Sequence, residues 1–201
     1  MSALERVTKG DRTRQAILSQ ALDLASEVGF EGLTIGSLAK QTGLSKSGLY
    51  AHFDSKEQLQ CDVLDAAAAY FVDQVVAPSM KSPRGRARLQ RLFELWLEWE
   101  EDCHSGGCPF VAATVEFDDR PGAVRERLQR HMHDLMDVIA GSVQVAIDEG
   151  QFAADTDAKR FAFDVWGILL AYQSFSRLLD QPDAVAQASR SFEALLEQAA
   201  A

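Results

Sequence analysis

The sequence predicts an all-α protein of about nine helices, with a three-helix N-terminal part followed by a C-terminal helical bundle. Three observations carry this prediction. Apolar residues recur at helical spacing from one end of the chain to the other. No stretch alternates apolar and polar residues long enough to read as a strand, and β-branched residues are scattered. The interruptions fall at glycines, prolines and capping residues, which divide the pattern into helix-sized pieces. With 201 residues, 47% of them hydrophobic, the chain can bury a core and lacks the composition of a disordered protein.

The first helix spans about 11–28, with Ile17, Leu18, Ala21, Leu22, Ala25 and Val28 on one face and Gly29 as its stop. The second, about 34–41, opens at the N-cap Thr34 and buries Ile35, Leu38 and Ala39. "QTGLS" is a tight turn in which Gly43 supplies positive φ. The third helix, about 45–51, starts at the N-cap Ser45. The fourth begins with Ser55 and Gln58 in capping-box spacing and runs to about Ala77, before Pro78 and Pro83 break the pattern. The domain boundary is placed at its start, giving parts 1–54 and 55–201. Five more helices follow. The first, about 84–102, turns Leu89, Leu92, Phe93, Trp96 and Trp99 inward, and its acidic end (Glu98, Glu100, Glu101, Asp102) reads as solvated, with a cationic ligand site as the alternative. Next come about 109–117 and about 121–148. The helix at about 157–180 is apolar nearly all round, which predicts burial on more than one side. The last, about 182–199, steps through Val185, Ala188, Phe192 and Leu195.

A helix, a glycine-containing turn and a short second helix make a helix-turn-helix. A helix as short as 45–51 buries little, so its outer face is the reason for it. In this layout the second helix lies in the DNA major groove with its N-terminal residues at base edges. Leu44, Leu49 and Phe53 then hold the unit to its core. Lys46 and Ser47 stand on the exposed first turn, and Gly48 keeps the surface low for close approach. Tyr50 offers its ring to a thymine methyl or its hydroxyl to a phosphate, while His52, Lys56 and Thr34 suit phosphate contacts.

The segment "ILSQALDLASEVGFEGLTIGSLAKQTGLSKSGLYAHFDSKEQL" resembles the N-terminal domain of the TetR family of bacterial transcription regulators, over roughly residues 11–60. Gly36 departs from the pattern, standing where the family usually has a larger polar residue. The resemblance implies that Thr34, Ser45, Tyr50, His52 and Lys56 meet the DNA backbone, and that Lys46 and Ser47 turn toward bases. It also implies a nine-helix homodimer joined through its last two helices, with the middle helices enclosing an effector pocket. The residues expected there are Trp96, Trp99, Cys103, Phe110, His131, Met132, Met136, Trp166, Tyr172 and Gln173. Such a lining suits an apolar or aromatic ligand with one or two polar groups. The expected function is a transcriptional repressor released from a palindromic operator by a small effector. The alternative is a DNA-binding regulator, an activator or a protein-controlled one, without a small-molecule effector.

The formal net charge of −10 argues against nucleic acid as a partner only until its distribution is read. Residues 1–56 carry +1 and the rest −11, so two N-terminal parts in a dimer present a basic face beneath an acidic body. No apolar run reaches the roughly 20 residues of a membrane span, and the N-terminus has no apolar signal core, so the expected location is the cytoplasm. Three cysteines are not a disulfide framework. The spacing of Cys103, His104 and Cys108 fits no common zinc site, so no metal is expected, although a Cys103–Cys108 redox pair is sterically open across the two glycines. Cys61 reads as core. No nucleophile–base set or phosphate loop appears, so neither an enzyme nor a cofactor is expected.

Overall fold

The computed structural model describes residues 9–102 and 106–201. Among them, nine helices account for the fold: α1 (Lys9–Gly32), α2 (Ile35–Thr42), α3 (Lys46–Tyr50), α4 (Lys56–Phe71), α5 (Arg86–Asp102), α6 (Pro109–Phe117), α7 (Ala123–Asp148), α8 (Ala158–Gln173) and α9 (Ala184–Ala199). Two are extended by π-helical segments. Val72–Val76 prolongs α4 into the short turn Ala77–Ser79, and Ser174–Leu178 prolongs α8. Pro78 therefore sits inside the extended fourth helix, at the start of that short turn, where a missing N–H does no harm. No described helix is long and apolar enough to cross a membrane.

The chain divides into two compact units: residues 1–68 with 109–128, and residues 69–108 with 129–201. In the first, α1 supplies Ile17, Leu18, Ala21, Leu22 and Ala25 to the core. Val28 does not follow them and is 50% exposed. The cause is Gly29, whose φ of 75° bends the chain at the end of α1, so that Phe30 and Leu33 take the core position instead. The bend is held by Glu116 of α6, whose carboxylate accepts from the backbone N–H of Phe30 at 3.1 Å and of Glu31 at 2.7 Å. Phe117 packs edge-on against Phe30 beside it, and Gln60 donates to the Phe30 carbonyl at 2.6 Å. Arg14 of α1 pairs with Asp62 of α4 at 2.6 Å, and Arg127 pairs with Asp65. Cys61 is buried in this core, and burial pushes its thiol pKa up.

In the second unit Phe93 of α5 stacks on Phe192 of α9 at 4.0 Å, with the Phe161 ring edge-on to Phe192 and Phe152 beside Phe161. Gly150, at φ 68°, ends α7 in a left-handed cap, and Asp157 opens α8 by accepting from the N–H groups of Lys159 and Arg160. Ala153 donates to the Ala199 carbonyl at 2.8 Å, which ties the end of α9 to the turn after α7. One side of α8 and its extension is left uncovered in the single chain: Phe163 is 65% exposed and Leu178 79%. The all-round apolar character of this helix is therefore not absorbed by its own core.

A side chain at Gly29 would adopt strained backbone, and its Cβ would lie 2.3 Å from Glu116 Oε1. Gly29→Ala is accordingly expected to destabilise the protein by more than Glu116→Gln does. The latter leaves one N–H without an acceptor and costs about 1 kcal/mol. Urea unfolding of both variants checks the order. Equal midpoints for wild type and Glu116→Gln would show that the carboxylate does not hold the bend.

Candidate nucleic-acid interface

Two caps and a left-handed glycine set the geometry of α2 and α3. Thr34 Oγ1 accepts from the Ser37 N–H at 3.0 Å, and Ser37 Oγ accepts from the Thr34 N–H at 2.9 Å, a reciprocal capping box. Gly43, at φ 69°, ends α2 and starts the turn. Ser45 Oγ then caps α3 by accepting from the Gly48 N–H at 3.0 Å. Leu49 is completely buried and Phe53 is 1% exposed, so they anchor the short helix.

Around this anchor the outer surface is open. Ser45, Lys46 and Ser47 are exposed, Gly48 is half-buried, and Tyr50 is 55% exposed. Leu44 was expected in the core but is 41% exposed. It lies in the turn before the N-cap, and Leu49 alone makes the inward contact, so Leu44 joins the exposed surface. Gly36 acquires a reason as well. A Cβ there would lie 3.8 Å from Lys46 Cε and 3.9 Å from Lys46 Nζ, so the lysine passes over the glycine. A larger residue at 36 would contend for that space. The sequence hint was Gly36 itself, a departure from the pattern with no local purpose.

His52 is half-buried beside Phe53. Lys56 opens α4 with its ammonium on Glu31, 3.0 Å from the carbonyl and 3.2 Å from Oε2. That hydrogen bond, with the charge of Arg120 at 2.9 Å added, holds the Glu31 carboxyl below its ordinary pKa. Thr34 and Ser45 spend their hydroxyls on caps, and the Thr34 N–H is itself taken by Ser37 Oγ.

Of the residues expected to meet an effector, Phe110 is buried in the first unit and the others belong to the second. Cys103, with His104, lies outside the described residues. Trp96, Trp99 and Tyr172 are buried, whereas His131, Met132, Met136, Trp166 and Gln173 are half-buried. Phe71 stands edge-on to both Trp96 (4.9 Å) and Trp99 (5.1 Å), and Trp166 lies 6.3 Å from Trp96. Among the described residues no group of three or more His, Cys, Asp or Glu is placed to hold a metal, and Cys108 is buried.

The expectation that the acidic end of α5 is solvated fails at Glu100, which is 4% exposed. Leu89, Phe93, Trp96 and Glu100 follow one another at helical spacing, so Glu100 sits on the inward stripe. That periodicity was the signal, masked by three acidic neighbours. Glu98 behaves as expected, exposed and paired with Arg91 at 3.3 Å. Burial raises the Glu100 pKa to about 8, against the opposing influence of Trp96 and of the Arg177 charge.

Residues 17–60 match the family model for bacterial regulatory proteins of the tetR family, and residues 85–192 match that for tetracyclin repressor-like C-terminal domains. The chain is 21% identical over 144 residues to the biofilm operon icaADBC HTH-type negative transcriptional regulator IcaR of Staphylococcus epidermidis, a match covering 72% of this chain and 74% of that protein. Its fold is similar to that of a TetR transcriptional regulator from Chloroflexus aurantiacus, with TM-score 0.85, 27% identity, and 96% and 98% of the two chains covered. It is also similar to that of AibR, solved in complex with isovaleryl coenzyme A and operator DNA, with TM-score 0.71, 19% identity, and 92% and 97% covered.

The raised carboxyl pKa fixes a pH dependence. A group whose native pKa lies above its unfolded value keeps a proton that the unfolded chain has released. The Glu100 contribution is therefore constant below the unfolded value of 4.5, declines as pH rises, and levels off above about 8. Its slope in that window is at most about 1.4 kcal/mol per pH unit. Thermal unfolding of Glu100→Gln should lose this decline and exceed wild-type stability on the alkaline side. A wild type whose stability is flat between these limits would contradict the burial of an ionisable carboxyl here.

Proposed function

The chain belongs to the TetR family of bacterial regulatory proteins, and we propose that it represses transcription as a homodimer on a palindromic operator from which a small, mainly apolar effector releases it. It is a DNA-binding transcriptional regulator, and no catalytic role is proposed. The observation that carries the reading is the exposed face of α3: Lys46, Ser47 and Tyr50 stand outward from a helix whose inward contact is Leu49. Repression follows the relative named as a negative regulator. Effector release follows the fold relative whose structure holds both an acyl coenzyme A and operator DNA.

In this reading Lys46 and Ser47 address base edges. Tyr50, His52 and the helix starts at Thr34 and Ser45 address phosphates. Lys56 meets phosphate from a position fixed by Glu31. Residues 1–54, with Lys56 just beyond them, make the DNA contacts, and the rest of 55–201 houses the effector and the dimer contact. The uncovered side of α8 supports the dimer. Together with α9 it forms an open groove of about 510 Å³, lined by Phe163, Ile168, Ala171, Phe175, Ala194 and Leu195 among others. A second copy that laid the same two helices against it would cover this surface by two-fold symmetry. The effector residues proposed in the second unit are Trp96, Trp99, Trp166 and Tyr172 with His131, Met132, Met136 and Gln173. The ligand releases DNA by binding more tightly to the arrangement that does not fit the operator. A regulator of this kind works in the cytoplasm, where the DNA is.

Operator sites selected from random DNA provide the assay. Lys46→Ala should relax base preference, at about 1–3 kcal/mol for a directly read base. Lys56→Ala should weaken binding to all sequences and reduce the salt slope by about one unit. An unchanged sequence preference in Lys46→Ala with an altered one in Lys56→Ala would reverse the two roles. Leu195→Glu, in the groove, should give monomers in sedimentation and abolish operator binding. A wild-type monomer at micromolar concentration would remove the dimer from the proposal. If no small molecule releases the DNA, the regulator works without an effector.

A further inference from the structure

Glu100 is the buried ionisable group that neither the fold nor the DNA interface uses. It is 4% exposed; the Trp96 indole N–H, itself unpartnered, faces its carboxyl, and Glu100 Oε1 accepts no hydrogen bond. A second acceptor, Oε1 of Gln173 on α8, is also buried without a donor. Unsatisfied buried acceptors carry a desolvation cost and persist where something else supplies the donor. Their surroundings define what that is. Trp96 lies one turn before Glu100 on α5, the Phe71 ring is edge-on to Trp96 and Trp99, and the Trp166 ring is 6.3 Å from Trp96. Trp166 and Gln173 are two turns apart on one face of α8, so the aromatic group and the second acceptor share that face. Aromatic faces carry negative potential and attract cations, most strongly where water is excluded. A carboxyl group set among several such rings combines both attractions for one kind of ligand.

We infer that the effector site of the second unit takes an organic cation, an ammonium or amidinium on an apolar or aromatic body, with its positive group on Glu100 and its body among Trp96, Trp99, Phe71 and Trp166. This deepens the effector reading above and rests on it. Among the described residues, the charged and titratable groups that act on Glu100 or meet it are Arg177, from the π-helical extension of α8, and Tyr172, from α8. Arg177 is exposed, lies across Gly107, and acts on Glu100 through its charge. Without ligand the carboxyl is protonated at neutral pH. When a cation binds, the O–H bond of the Glu100 carboxylic acid breaks, the proton passes to the buffer and the carboxylate remains to pair with the cation, which keeps its own protons. Binding is therefore coupled to release of one proton.

The probes are benzylamine, 1-naphthylmethylamine and 9-anthracenylmethylamine, each beside the alcohol and the carboxylic acid of the same ring system. They are titrated into the full-length protein by tryptophan fluorescence, with binding to the selected operator followed in parallel. At least one amine should bind tenfold or more tightly than its alcohol, and its acid should bind more weakly still. Glu100→Gln, folded by circular dichroism, should erase the preference for the amine. Calorimetry in two buffers of different ionisation enthalpy, on the acid side of neutrality, should show about one proton released per amine bound to wild type. That comparison and the three-way preference need no variant, so they stand if Glu100→Gln does not fold. The inference is overturned if alcohols or acids bind as tightly as amines, if the preference survives in Glu100→Gln, if no proton is released, or if no amine binds. Release of operator by an acid and not by the amines overturns it and leaves the effector reading in place. An amine that binds through Glu100 and leaves operator binding unchanged does the reverse.

Discussion

Two backbone N–H groups at the end of α1, and the one carboxylate that accepts from both, hold the first unit in register. Where a helix ends, its flanking peptide groups need partners. Phe30 and Glu31 find theirs in Glu116 of α6, and Gly29 makes the approach possible because it carries no side chain. The next residues inherit their place from that bend. Phe30 and Leu33 enter the core, Thr34 begins α2, and the turn at Gly43 delivers α3 to the surface. Glu31, fixed by its own N–H, then orders Lys56 and Arg120 through its carboxylate. A chain of local hydrogen bonds thus runs from α6 to the start of α4, and the capped pair α2 and α3 hangs from the middle of it.

What could be read in the sequence was local. Helix starts were legible at Thr34 and Ser45 because a capping hydroxyl acts on an N–H three residues away, within the same short stretch. The recognition helix was legible because its motif is contiguous. What could not be read depended on partners distant in sequence. Glu116 is 86 residues from Phe30, and nothing near it announces an acceptor for a backbone group on another helix. Val28 was misplaced because helical periodicity was carried up to Gly29, where the chain bends and Phe30 takes the core place, and Leu44 because the residue after the left-handed Gly43 stays on the exposed surface. Glu100 was misplaced because composition outweighed position. An acidic run looks solvated, although only every third or fourth member of a run on a helix faces the same way. The uncovered side of α8 was legible as excess apolar surface, but not which residues would remain outside.

The two units differ in what their polar groups do. In the first, Arg14 is matched with Asp62, Gln60 with the Phe30 carbonyl and Ser37 with Thr34, and among the described residues Arg127 Nε is the buried atom left without a partner. In the second, more buried atoms are unmatched: the acceptors Glu100 Oε1 and Gln173 Oε1 and the donors Arg88 Nε and Trp96 Nε1. A matched network rigidifies, and an unmatched one is stabilised by whatever completes it.

The π-helical segments at Val72–Val76 and Ser174–Leu178 have a consequence for chain length. A turn bonded from i to i+5 contains one residue more than the α turn it replaces, so each segment is a one-residue insertion that the helix has absorbed without breaking. The second ends at Asp180, whose φ of 48° closes the helix with Gln181 donating to the Phe175 carbonyl at 2.9 Å. Removing a residue there would restore regular winding and rotate every later side chain of the segment by about 100°. Arg177 would then leave the side on which its charge reaches Glu100. A single-codon deletion at this point would change the charge that reaches Glu100 while the helix, the core and the coding frame stayed intact.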